Sequence, residues 1–400
     1  MFAGAAGASA LTPVVLQKKA TSSILLSTFV QYLAHSARRS SWTFSLLDLA
    51  TDTRVDTLSF RSALNAVSLA HFAHTSRDEV FDVHASKEYG RALGYHRQAL
   101  VNLPQARPPD ARAVLKQALL TSTLLSYYEL IAAVNPVAWS NHTAAAEQLL
   151  CTMGTKFIWD DLFVRQIAVS VRSHAVLRST VYQQQTIFAT EPWLEASREW
   201  TKSQEQSIAR EAYDWILEWL LRISSYRNAI YNSNRDGTHV SSDVARAAFE
   251  AELQTNYTDF LLSLEPPIFP TNLPLFDGSV LSKSAEHGVT SLPALPRALR
   301  KQFTSMAFAY FHAAALLYQV CFPRADVNCG HNAVHIINVG LFLEQDERTN
   351  ATGVLRMGFP FAMAWLGQKS DERSRQVGRT VFERWCQREG MAGLGVLIFR

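Results

Sequence analysis

The chain has 400 residues, 48% of them hydrophobic and 18% charged, which excludes a disordered chain, because such chains combine few apolar side chains with a high net charge. Its 38 basic and 35 acidic residues leave a formal charge of +3 spread along the whole length, so there is no large positive field to condense onto nucleic-acid phosphates. Four cysteines, Cys151, Cys321, Cys329 and Cys386, are too sparse for a disulfide framework and point to a reducing compartment. The N-terminus lacks the basic start and apolar core of a secretory signal, and nowhere do about 18 apolar residues run together as a membrane span requires.

Periodicity predicts helix almost throughout, and the fold class is all-α: a large multi-helix array or a bundle of antiparallel helix pairs. The expected organisation is a partly helical N-terminal segment over 1–55, a first helical block over 56–265, a Pro-rich loop or linker over 266–295, and a second block over 296–400 packing on the first. Thr12 and Pro13 read as an N-cap followed by proline at the first helical position. Arg38-Arg39 is too short for a basic patch. Phe60, Ala63, Leu64, Val67 and Ala70 mark one helix face. Tyr89, Leu93, Leu100 and Leu103 mark the next.

Asp110, following Pro108-Pro109, reads as the cap of a helix carrying Val114, Leu119, Leu125 and Tyr128. Asn135-Pro136 closes that helix, since the residue before proline avoids helical angles. Further helices are expected near 138–153, 159–180, 203–231 and 242–263. Four prolines between Pro266 and Ser279 forbid a continuous helix. A long helix then spans Pro296 to Phe322, and two or three shorter ones occupy 332–390. No fixed-period repeat is visible.

Chemistry-bearing patterns are few, and no catalytic, cofactor or metal site is assigned. Cys329, His331 and His335 offer zinc-compatible ligand types, but no fourth ligand accompanies them and the structural reading is preferred. Asp160-Asp161 invites comparison with aspartate pairs that hold magnesium against a diphosphate, which would make a helical biosynthetic enzyme the alternative function. The matching third acid is missing, so helix-start acids complementing the macrodipole are preferred. His71 falls on the apolar stripe begun at Phe60 and reads as a core histidine. Trp215 and Trp219, four apart on one helix, read as packing rather than a base-stacking platform.

The stretch Leu119 to Gly154 is the most informative. Tyr128-Glu129-Leu130, then Trp139, His142, Ala145, Ala146, Leu149, Leu150 and Gly154, resembles the helical regulatory region of fungal transcription factors, with Ala145 where glycine is usual. The Tyr89, Ala92, Leu93 helix, Glu191-Pro192-Trp193, the run Phe311-His312-Ala313-Ala314 to Pro323, and Phe359-Pro360-Phe361 before a small-residue helix follow in the same order. The resemblance covers Phe60 to Cys386. It identifies Tyr128, Glu129, Trp139, His142, Ala145, Leu149, Gly154, Trp193 and Pro360 as structural landmarks.

This resemblance to the fungal-specific transcription factor domain implies a non-enzymatic regulator in the nucleus, with the cytoplasm left open as a second location, controlling a metabolic or secondary-metabolite gene set and needing no cofactor. The family's DNA-reading module needs six closely spaced cysteines around two zinc ions, and the first cysteine here is Cys151. DNA contact is therefore expected only indirectly, through other transcription regulators or a missing N-terminal module, with a small-molecule signal as a second input. Homo- or heterodimerisation stays open. A non-transcriptional interaction scaffold is the further alternative.

Overall fold

The computed structural model describes residues 58–103, 108–132, 135–202, 207–236, 242–265, 295–323, 330–346, 351–367 and 372–399. The expectations placed on 1–55, on Arg38-Arg39, on the prolines of 266–279 and on Cys329 lie outside these residues. The architecture is an all-α multi-helix array, with no strand among the described residues.

In the first half, α1 (Leu58–Ser76), α2 (Glu79–Asn102), α3 (Pro108–Ala132), α4 (Pro136–Met153) and α5 (Thr155–Asp160) are followed by α6 (Leu162–Val181), α7 (Glu191–Lys202), α8 (Ile208–Asp236) and α9 (Ser242–Leu262). The second half holds α10 (Gln302–Cys321), α11 (Gly330–Gln345), α12 (Ala351–Gly367), α13 (Glu372–Arg388) and α14 (Ala392–Ile398). Helix α1 packs on α2 and α3, α3 on α4, and α6 bridges α4, α8 and α12. Helix α14 returns to pack on α3.

Helix α10 forms the centre of the second half because its sequence, QFTSMAFAYFHAAALLYQVC, contains no Asp, Glu, Lys or Arg. Every residue from Thr304 to Tyr318 is buried, as expected of a helix that is apolar all round. Helices α8, α11 and α12 pack against it. One continuous apolar core joins residues of both halves, from Phe60 to Ile398.

Turns explain most element ends. Arg77 adopts a left-handed φ of 56°, and the Asp78 N–H then reaches back to the Ala73 carbonyl at 3.1 Å, satisfying an orphan carbonyl of α1. The Asp78 carboxylate in turn caps α2 by accepting from Val80 N–H. Gly154 has φ +79°, a conformation open to glycine and costly for other residues. Its N–H bonds Leu150 and its carbonyl accepts from Ile158, so one residue ends α4 and begins α5.

Several expectations are corrected. Helix α3 begins at Pro108, so Asp110 lies in its first turn rather than before it; proline is tolerated there because those N–H groups have no intrahelical partner. Asn135 does more than stop α3: extended at φ −151°, it caps α4 by accepting from Val137 and Ala138 N–H. Leu93 is 37% exposed, because the buried face of α2 runs through Ala85, Ala92 and His96. The long helix from Pro296 is split into a 3-10 turn, Arg297–Leu299, and α10.

Pro360 does not precede a helix but sits inside α12. Proline lacks the N–H that would bond the carbonyl four residues earlier, which is that of Arg356. The Tyr310 hydroxyl, from α10, donates to that carbonyl at 2.7 Å. A local defect in one helix is thereby satisfied by its neighbour, and the two are locked in register. Tyr310→Phe is expected to cost about 1–3 kcal/mol, the price of leaving a buried acceptor unpaired. Pro360→Ala in the same background supplies the missing N–H and should recover part of that loss; denaturant midpoints of the three variants check this, and a neutral Tyr310→Phe would contradict it.

Candidate functional site

Three of the sequence landmarks, Tyr128, Glu129 and His142, converge with Tyr89 where α2, α3 and α4 meet. Tyr89, from α2, stacks on Tyr128 with ring centroids 4.3 Å apart. Its hydroxyl donates to Glu129 Oε1 at 2.6 Å and lies 2.9 Å from His142 Nε2. A tyrosine hydroxyl has one proton to give, so with Glu129 as its acceptor, His142 Nε2–H must be the donor to the Tyr89 oxygen. The second Glu129 oxygen accepts the Asn135 N–H at 3.0 Å. The relay thus ties α4 to α2, α2 to α3, and α3 to the residue that caps α4. Ser86 bonds the Tyr128 hydroxyl at 3.2 Å, and His96 bonds Ser122 at 3.0 Å.

Burial, with the Glu129 carboxylate beside it, pushes the Tyr89 hydroxyl far above its ordinary pKa. Burial, and secondarily His96, lowers His142 to about 4, consistent with a neutral ring donating from Nε2. Burial also raises the Glu129 carboxyl. These directions make Tyr89 a poor proton donor and leave no activated nucleophile beside it. The network organises helices.

The other landmarks are packing and turn residues. Trp139 is buried with its ring 6.1 Å from those of His174 and Tyr182. Leu149 is buried and Ala145 half-buried on α4. Trp193 is buried edge-on to Phe188 at 5.2 Å.

A second network, absent from the sequence reading, clamps α4 to the end of α6. Arg178 donates through Nε and Nη2 to Glu147 Oε1 at 2.9 and 2.7 Å, through Nη1 to Gln184 Oε1, and through Nη2 to the Gln185 carbonyl. Glu147 Oε2 accepts from the Thr186 hydroxyl at 2.6 Å and from Ile187 N–H at 3.2 Å. Burial raises the Glu147 carboxyl, and Arg178 offsets part of that rise. Sequence did carry a signal for this pair. On α6, Val164, Ala168, Val171 and Ala175 step along the buried face, and Arg178 is the next position on that stripe.

Asp161 caps α6, accepting from Val164 N–H at 3.1 Å, and pairs with Lys116 of α3. Asp160 ends α5 and is exposed. The two carboxylates therefore serve different helices, and Asp160 departs from the helix-start role expected of it. His331 and His335 lie one turn apart on α11 with ring centroids 6.4 Å apart. His335 instead stacks on His312 of α10 at 4.4 Å, and His312 donates from Nδ1 to Asn332 Oδ1 at 2.7 Å while accepting from the Tyr257 hydroxyl at 3.2 Å. Among the described residues no three His, Cys, Asp or Glu side chains are placed to hold a metal. His71 is buried on α1 beside the turn at Gly390, and Trp215 and Trp219 pack side by side at 6.4 Å.

No helix among the described residues is long and apolar enough to cross a membrane. Searches of curated proteins and of solved structures return no match to the chain. The model of the fungal specific transcription factor domain matches residues 22–388 of this all-α chain: the chain belongs to that family.

Proposed function

We propose that the chain is the regulatory domain of a nuclear transcriptional regulator, not an enzyme, and that it governs a metabolic or secondary-metabolite gene set through other transcription regulators or a small-molecule signal. The observation that carries this reading is the family match over residues 22–388. The +3 formal charge of the whole sequence supports an indirect relation to DNA, because phosphate binding is supplied by clustered Lys and Arg. The networks at Tyr89 and Arg178 support a scaffold whose polar interior is spent on fixing helices.

The test joins residues 1–400 to a heterologous DNA-binding module and measures a reporter carrying that module's site. A change of several-fold, up or down, relative to the module alone is expected. A reporter indistinguishable from the module alone sinks the transcriptional role. Removing the DNA-bound partner should also abolish chromatin association, and tight sequence-specific DNA binding by the isolated chain at physiological salt would overturn the partner-borne route.

A further inference from the structure

Between α6, α8, α10 and α12 the interior carries more positive charge than it neutralises. Arg172 of α6 is 5% exposed. Its Nη2 donates only to the Asp214 carbonyl, at 3.3 Å, and its Nε has no partner. Arg356 of α12 lies over the Phe303 ring at 5.4 Å and forms no ion pair with a carboxylate of the described residues. Arg210 of α8 lies 5.6 Å from the centroid of the same ring.

The nearby carboxylate is that of Asp214, whose Oδ2 takes the Arg210 Nε at 2.9 Å while Oδ1 has no partner. Glu218, the next acid along α8, is engaged by Arg198 and Arg222. The buried Tyr213 hydroxyl lies against that of Tyr310, and its ring stands edge-on to Phe303 at 5.3 Å and to Tyr310 at 4.8 Å. Burial depresses both the Arg172 and the Arg356 guanidinium.

The Asp214 and Glu218 carboxylates act on Arg172 but are shared with Arg210, Arg198 and Arg222, so the cluster holds more cations than anions. Such an arrangement is destabilising when desolvated and of the rule-breaking kind found at functional sites. The guanidinium fork matches carboxylate and phosphate oxygens. The rings of Phe303, Tyr213 and Tyr310 beside it suit a flat or apolar body attached to that anion. Arg210, with about a quarter of its side chain accessible, and Arg356, likewise only partly buried, reach toward solvent, whereas Arg172 is enclosed.

We propose that Arg172, Arg210, Arg356 and Tyr213 form an internal binding site for a small organic anion, a carboxylate or phosphate borne on an aromatic or apolar body. The site goes beyond the transcriptional reading. It stands or falls on binding alone, so its failure and that of the reporter experiment are separable.

The test uses the full chain with benzoate, phenyl phosphate, inorganic phosphate and neutral benzyl alcohol as probes at constant ionic strength, followed by calorimetry and thermal unfolding. Benzoate or phenyl phosphate should bind and raise the melting temperature, with inorganic phosphate weaker and benzyl alcohol without effect. Arg356→Gln should weaken that binding about tenfold or more, the scale of one lost charge-assisted hydrogen bond, while leaving the ligand-free melting temperature unchanged or raised, because it removes an uncompensated charge. Arg172→Gln gives a second reading should Arg356→Gln fold poorly. No binding by any anionic probe, equal binding of benzyl alcohol, or unchanged affinity in both variants overturns the proposal.

Discussion

Lowering the pH from 7 to 5 should remove most of the folding free energy. Burial holds His71, His142, His174 and His335 neutral, with each pKa brought down from 6.5 to about 4. In the unfolded chain the same rings take up a proton as the pH passes below about 6.5, while in the folded chain they stay neutral until about 4. Between those values the unfolded state binds more protons, so stability falls with falling pH. At pH 5 each ring contributes a loss of about 2 kcal/mol. Four together are on the order of the whole 5–15 kcal/mol stability of a typical domain.

The burial-raised carboxyl of Glu129 works in the opposite sense, taking up its proton first in the folded state and returning some stability as the pH falls. Denaturant unfolding at pH 7, 6 and 5 measures the net effect, and equal midpoints at pH 7 and 5 would refute it. His174 isolates one contribution, because its ring packs against Tyr127 at 5.4 Å and Trp139 at 6.1 Å. His174→Phe keeps an aromatic ring there and removes the titration, so it should regain about 2 kcal/mol at pH 5 and little at pH 7.

Glu147→Ala is expected to destabilise by about 3–5 kcal/mol, the range for breaking one side of a buried ion pair. The Glu147 and Arg178 side chains are 4% and 6% exposed, so solvent cannot replace the lost partner. The Thr186 hydroxyl and Ile187 N–H lose their acceptor in the same step. Replacing both ends, with Arg178→Met added to Glu147→Ala, removes the stranded charge and should recover much of the loss. The double-mutant cycle reports the coupling directly. A single-variant cost below about 1 kcal/mol would show that the clamp is not closed in solution. Amide exchange should also rise first between Gln184 and Ile187, where the clamp holds the connection from α6 to α7.

The all-α class and most helices were legible in the sequence because helical burial repeats every 3.6 residues. Phe60, Ala63, Leu64, Val67 and Ala70 fell on one face and are buried on α1. The turn chemistry was legible only in part. Asn135-Pro136 was read as a stop, and its capping of α4 was missed. On α2 the expected face held at Tyr89 and Leu100, which pack against the core, but not at Leu93, since small buried residues such as Ala85 and Ala92 give a weaker apolar signal than leucine.

The landmarks themselves divide along the same line. Sequence order alone placed Tyr128, Glu129 and His142 in a family, but it carried no sign that Tyr89 joins them, because the contacts span 40 residues to Glu129 and 53 to His142. Pro360 read as a helix start; inside α12 it is tolerated only because Tyr310, 46 residues away from Arg356, satisfies the freed carbonyl. Local sequence thus determined which segments are helices and which face of most is apolar, since those depend on residues within a turn or two. Which polar groups meet, including Glu147 with Arg178 and the cluster of Arg172, Arg210 and Arg356, was decided only by tertiary packing, because a hydrogen bond between distant helices exists only once their axes and registers are fixed.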